Sequence, residues 1–204
     1  MTTGHFIDLA FPARGGIVPL DHGYALFGAL CRVLPSLHEE ATWGVHPIRG
    51  TRMGPGELAL DSSSRVKLRM PAVDIARALA LAGAGIELGG ASIVLGAPQV
   101  FVLEPHTVLR SRFVTIKGFM GTPEEFAAAA RRQLAKIDLR QDPERIDVTI
   151  GPRRIVRISE KTIVGFAAML EGLDPDASLA VQIAGLGGRR HMGCGVFVPP
   201  GRRG

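Results

Sequence analysis

The sequence predicts an α+β protein built from two halves that repeat one order of elements, β-α-β-β-α-β. Three observations carry this. The 204 residues accommodate two compact domains of about 100 residues each. Apolar residues make up 46% of the chain, enough to bury a core in each half. Strand-like alternation and helix-like spacing also succeed each other in the same order twice.

In the first half, residues 5–11 (HFIDLAF) alternate as a strand does. Asp21 is placed to cap a helix, and Ala25, Leu26, Ala29, Leu30, Val33, Leu34 and Leu37 then recur at helical spacing over 24–37. A second strand is expected at 43–48. The stretch SRVKLRM at 64–70 sets Val66, Leu68 and Met70 against Arg65, Lys67 and Arg69, the pattern of a half-buried strand. Residues 74–82 read as a helix ending at Gly83. Two short strands around Gly89-Gly90 follow within 86–95, and 99–103 is expected to extend the last of them.

The second half repeats the order. A strand at 108–116 leads to Thr122-Pro123-Glu124-Glu125, which combines a capping threonine, a proline at the first helical position and a glutamate in reach of the cap. That helix is expected to run to Lys136. Strands follow at 146–150, 154–158 and 162–170, then a helix at 175–184 and a last strand at 196–198. Two split β-α-β units in tandem, the ferredoxin-like arrangement, is the simplest architecture, divided as 1–105 and 106–204.

Charge and cysteine content narrow the function. The net charge is +5, but residues 1–106 hold eight Lys/Arg against nine Asp/Glu, whereas 107–204 hold sixteen against ten. A basic excess confined to one half suits a polyanionic partner met by that half. With one Trp, one Tyr and nine Phe, base stacking is not the expected main mode of contact. Cys31 and Cys194 lack metal-ligand spacing, and no His/Cys/Asp cluster suggests a metal site, so no metal and no cofactor are expected. No apolar run reaches the ~18–20 residues of a membrane span, and a soluble cytoplasmic protein is expected.

The most specific stretch is GLGGRRHMGCG at 185–195: Gly-hydrophobic-Gly, five residues, Gly-hydrophobic-Gly, with Arg189, Arg190 and His191 inside. Such glycines let backbone approach a phosphate chain closely, while arginine forks donate to it. A nucleotide phosphate loop would need a Lys-Ser/Thr ending and a following helix, both missing here.

This loop, on tandem ferredoxin-like halves, resembles the CRISPR repeat-associated superfamily. Within it the whole chain is similar to the CRISPR pre-crRNA-processing endoribonucleases of the myxobacterial-type branch. PLDHGYALFGAL at 19–30 resembles that family's first helix, and ATWGVHPIRG at 41–50 resembles a segment that in some members carries a catalytic histidine. SRFVTIKG at 111–118, followed by the helix bearing Arg131 and Arg132, is similar to a branch that reads an RNA hairpin through an arginine-rich helix. Where some members place a tyrosine within the first helix, this sequence has Cys31. The resemblance implies metal-independent cleavage of CRISPR repeat RNA by attack of the 2′-hydroxyl, leaving a 2′,3′-cyclic phosphate. It also implies that the guide RNA is retained and passed to subunits of a CRISPR interference complex.

The chemistry needs a base, an acid and cations for the phosphorane. Of the six histidines, His46 is the first candidate, with Arg49 and Arg52 nearby in sequence; His22 is the reserve. Candidate RNA contacts are Arg131, Arg132 and Lys136 on the helix, Arg110, Arg112 and Lys117 on and after the preceding strand, and Arg189, Arg190 and His191 in the loop. Two rivals remain at this stage: a catalytically silent repeat-binding subunit of an effector complex, and a generic ferredoxin-like RNA-binding module.

Overall fold

The computed structural model describes residues 5–119, 121–158 and 161–201. The chain divides into two compact units, 1–102 and 103–204.

In the first unit β1 (Phe6–Gly15) is the central strand. Its partners are β6 (Arg65–Pro71) on one side and, on the other, β9 (Gln99–Val102) and then β8 (Ala91–Leu95). The hairpin mate of β8 is β7 (Gly85–Leu88), and β3 (Gly44–Val45) lies outside β6. Every one of these pairings is antiparallel. Alternation sorts the two faces: Leu9, Phe11, Val66, Leu68 and Met70 are buried in the core. The other face carries Asp8 opposite both Arg69 and Phe101.

Helix α1 (Gly23–Val33) buries Leu26, Phe27, Ala29 and Leu30. Pro35 then converts the expected continuation to 37 into a 3-10 turn over Pro35–His38. The cap expected of Asp21 does not form: His22 occupies the N-cap position and no side chain caps the helix. The helix expected at 74–82 is one turn of α2 (Ile75–Ala78) between 3-10 turns. A small sheet ordered β2-β5-β4, made of β2 (Ile17–Pro19), β4 (Thr51–Gly54) and β5 (Glu57–Ala59), is absent from the expected order. Residues 99–102 do not extend β8 but return to pair with β1.

In the second unit β10 (Val108–Val114), β11 (Asp147–Ile158) and β12 (Lys161–Glu171) form an antiparallel sheet ordered β10-β12-β11. The two strands expected at 146–150 and 154–158 are one long strand with a register shift between Ile150 and Arg153. The strand expected at 196–198 is reduced to one bridge, Arg110 to Val198, on the outer edge of β10. Helix α3 (Pro123–Leu134) starts at the expected capping box, with the Thr122 and Glu125 side chains bonded reciprocally to backbone N–H groups. It ends at Leu134, so Lys136 lies beyond it. Helix α4 (Pro175–Ala184) is capped by Asp174. Phe126, Leu134, Phe166, Leu170, Val181 and Phe197 are among the residues that fill the core between sheet and helices.

Candidate active site

The first unit holds two buried histidines in different settings. His22 has no exposed surface. Its Nδ1 lies 2.8 Å from the Pro19 carbonyl, so it donates there, and Nε2 accepts the Ile48 N–H at 2.9 Å. An imidazole bonded this way is neutral, with its proton on Nδ1. It is a strut joining the start of α1 to the segment after His46. Both ring nitrogens of His22, the reserve candidate, thus serve backbone groups, a setting unlike that of His46.

His46 follows β3, its backbone N–H donating to the Lys67 carbonyl at 2.9 Å. Pro47 lacks an N–H and stops the ladder there, which is why the strand expected over 43–48 is only two residues long. The segment is held from several sides. Trp43 is fully buried and donates from Nε1 to Asp74 at 3.1 Å. The Arg77 guanidinium lies 5.6 Å from the centre of the Trp43 ring and pairs with Asp74 and Glu40. Ile48 is fixed by His22.

The His46 side chain meets a cluster of charges on the non-core face of the sheet. Nε2 lies 3.2 Å from Asp8 Oδ1. Arg69 approaches the same carboxylate as a fork, Nε to Oδ1 at 2.8 Å and Nη2 to Oδ2 at 3.1 Å. Lys67 Nζ stands 3.6 Å from Oδ2 and 5.5 Å from the centre of the Phe101 ring. Asp8, His46 and Arg69 are 6%, 7% and 1% exposed. Burial favours the neutral form of Asp8, but hydrogen bonds and charge from His46 and Arg69 outweigh it and hold the carboxyl well below its ordinary range. For His46, burial is the largest influence and lowers its pKa; Asp8 raises it, Arg69 and Lys67 lower it further, and the result is about 4. At neutral pH the imidazole is therefore uncharged, and Asp8 stays ionised on the hydrogen bonds it accepts from His46 and Arg69 and on the charge of Arg69.

Asp8, Lys67 and Arg69, which gather around His46, are not among the residues the sequence singles out. The signal was a lone carboxylate in the apolar strand FIDLAF and a basic row in SRVKLRM. Their meeting depends on a register between strands about 60 positions apart, visible in the pairing Asp8 to Arg69. Arg49 and Arg52 lie in the same unit with exposed side chains, outside this buried cluster.

In the second unit the glycine loop is knitted to β10 and its continuation. Gly195 N–H donates to the Phe113 carbonyl at 2.7 Å, Gly188 N–H to the Thr115 carbonyl at 3.0 Å, and Gly187 N–H to Gln133 Oε1 at 2.6 Å. Gly185, Gly187, Gly193 and Gly195 all have φ between 65° and 80°. A Cβ on Gly195 would overlap the Leu186 carbonyl oxygen. Arg189 is itself left-handed, with φ 62°, and its carbonyl accepts the Met192 and Cys194 N–H groups. Arg189, Arg190 and His191 are half-buried rather than displayed on an open tip.

Arg110 and Arg112 are exposed on one face of β10, with buried Ser111 between them, and Lys117 is exposed just after the strand. Arg132 and Lys136 are exposed as well. Arg131 is half-buried and donates from Nη1 to the Ile146 carbonyl at 3.1 Å, tying α3 to the entry of β11. Among the described residues, no three His, Cys, Asp or Glu side chains gather as metal ligands, and no helix is long and apolar enough to cross a membrane.

Fold and site define a class first: a tandem ferredoxin-like protein with a buried histidine–carboxylate pair in one unit and a glycine-locked loop in the other. The family model described as Cas6 Crispr matches residues 7–202. A CRISPR-associated endonuclease Cas6 of Myxococcus xanthus (strain DK1622) is 46% identical over 197 residues, covering 97% of this chain and 83% of that protein. Among solved structures, a Cas6-related gene product from Pyrococcus furiosus gives a TM-score of 0.69 at 13% identity, over 97% of this chain and 100% of the other. A RAMP protein binding different RNA substrates gives 0.68 at 14% identity, over 94% and 98%. At such identities the structural likeness speaks to the fold, which is ferredoxin-like α+β. The chain belongs to the Cas6 family of CRISPR-associated endonucleases.

Proposed function

We propose that this endoribonuclease binds CRISPR repeat RNA and cuts precursor transcripts into guide RNAs without a metal ion, with His46 as the base. The proton on the 2′-hydroxyl beside the scissile phosphate passes to His46, O2′ bonds to phosphorus, and the bond from phosphorus to O5′ breaks. O5′ leaves as a hydroxyl after receiving a proton from water, the imidazolium returns its own proton to solvent, and a 2′,3′-cyclic phosphate remains. The nucleophile is supplied by the substrate itself, so the reaction needs a base and cations rather than a metal-bound hydroxide.

The observation that carries this reading is the setting of His46: a buried imidazole 3.2 Å from a carboxylate that Arg69 clamps, in a chain of the Cas6 family. Exposed Arg110, Arg112, Lys117, Arg132 and Lys136, with the arginines of the glycine loop, fit the role of holding phosphates. Arg49 and Arg52 are the cations nearest His46 in sequence for the charge that develops during cleavage. The guide RNA so made stays bound and is passed to an interference complex in the cytoplasm.

The test is incubation in EDTA with labelled repeat RNA from the host's array, beside the same RNA carrying a 2′-deoxy nucleotide at the scissile position. The reading expects one cut, a cyclic phosphate on the 5′ product, and no cleavage of the deoxy RNA. Binding with no cleavage would make the chain a repeat-holding subunit, and cleavage that requires added divalent metal would overturn the mechanism.

A further inference from the structure

The charged cluster behind His46 contains more than a hydrogen-bonded histidine needs, and each member constrains the next. An ionised carboxylate accepts hydrogen bonds and donates none. Asp8 Oδ1 receives Arg69 Nε at 2.8 Å and faces His46 Nε2 at 3.2 Å, so Nε2 must carry the proton. The lone pair then resides on Nδ1, which has no hydrogen-bond partner among the described residues. The Asp8 carboxylate cannot turn away, because Arg69 holds both of its oxygens and is itself 1% exposed.

We propose that Asp8, clamped by Arg69, is the positioning residue of the cleavage reaction: it selects the Nε2–H form of His46 and presents Nδ1 as the atom that takes the 2′-hydroxyl proton. This rests on the reading of His46 as the base. Asp8 acts through His46 and does not itself touch the reacting atoms.

The balance of charge adds a consequence. The groups that act on His46 are Asp8 on β1 and Lys67 and Arg69 on β6; Phe101 on β9 is uncharged, and His22, bonded to Ile48 N–H, is neutral. Around a neutral imidazole these sum to one net positive charge, which resists a second. A phosphodiester brought beside the ring supplies the compensating negative charge. The base then gains its proton most readily when substrate is in place, and Asp8 stabilises the imidazolium that results.

The experiment combines a spectroscopic and a kinetic readout on the full chain. Protein labelled with 15N-histidine reports the protonation and tautomer of His46 at pH 7, its signal assigned by its loss in His46→Ala. Wild type should show a neutral ring protonated on Nε2, and a ring protonated on Nδ1 or a charged ring would overturn the proposal. Asp8→Asn keeps the shape but removes the charge and can donate toward Nε2. It should mix the tautomers and lower the single-turnover cleavage rate about 10- to 100-fold, part of the 10²–10⁴ that a positioned base supplies, with repeat affinity unchanged. If His46→Ala cleaves as well as wild type, the reading of His46 falls and the positioning role with it. If His46→Ala is inactive while Asp8→Asn cleaves within about twofold of wild type, only the positioning role falls. Should Asp8→Asn fail to fold, the wild-type tautomer decides alone.

Discussion

The two units share a topology but spend their polar residues in opposite ways. The first buries a carboxylate, an arginine and a histidine together on one face of its sheet, with a lysine at the margin. The second keeps Arg110, Arg112, Arg132 and Lys136 exposed and uses its buried backbone to lock a glycine loop against β10. A buried ion cluster holds one histidine in a defined orientation, which suits proton transfer. Exposed cations on a strand, on a helix and just past its end can meet phosphates at the surface, which suits grip. The contrast teaches that a repeated fold does not imply a repeated role.

The largest expected effect that breaks this contrast is in the loop. Gly195→Ala places a methyl group on the Leu186 carbonyl oxygen at a φ of 65°. It should cost about 2–4 kcal/mol, from left-handed strain together with steric displacement. Gly188→Ala, where a Cβ meets nothing within 4 Å, serves as its control and should melt close to wild type. Thermal unfolding of the two variants checks this, and equal melting would remove the loop's structural role.

The next effect sharpens the first unit's side. His46 titrates near 4 in the folded chain against 6.5 for an ordinary histidine. Between these values the unfolded chain binds the extra proton, so stability is fully present above 6.5 and falls as pH drops toward 4. The loss approaches about 3 kcal/mol across that window. A His46→Gln variant should lack this slope, and denaturant titrations of both proteins from pH 7 to 4.5 measure it. Parallel curves would mean that the histidine is not held neutral.

The smallest effect belongs to the exposed cations. The double substitution Arg132→Ala with Lys136→Ala should weaken repeat binding about three- to tenfold and flatten its salt dependence by roughly 0.7 to 1.5 in the log–log slope, as expected for losing one or two phosphate contacts. Affinity measured over a range of KCl tests it. An unchanged slope would remove these residues from the binding surface.

Local signals were legible in the sequence, and long-range ones were not. SRVKLRM gave its strand and its core residues because alternation is a property of neighbours; Val66, Leu68 and Met70 are all buried. Thr122-Pro-Glu-Glu marked a helix start because capping is completed within four residues. The glycine spacing at 185–195 marked a backbone that turns left-handed at four of its glycines. By contrast, the return of 99–102 to β1, and the pairing of β2 with β5, depend on partners distant in sequence. The same reason hid Asp8 and Arg69, each unremarkable in its own strand until the register sets them opposite. The sequence ranked His46 above His22 by neighbours and resemblance, but not by partners: backbone groups hold both nitrogens of His22, whereas His46 faces Asp8, 38 positions away.

The central claim is that the first unit does the chemistry and the second holds the RNA. It is tested most directly by single-turnover cleavage of repeat RNA at increasing protein concentration, for wild type, His46→Ala and the Arg132/Lys136 double variant. The account predicts that His46→Ala loses about 10²- to 10⁴-fold in the limiting rate with an unchanged half-saturation point. The double variant should shift the half-saturation point and reach the wild-type limiting rate. A His46→Ala protein that cleaves at the wild-type limiting rate, or a double variant that fails in rate rather than in binding, would contradict it.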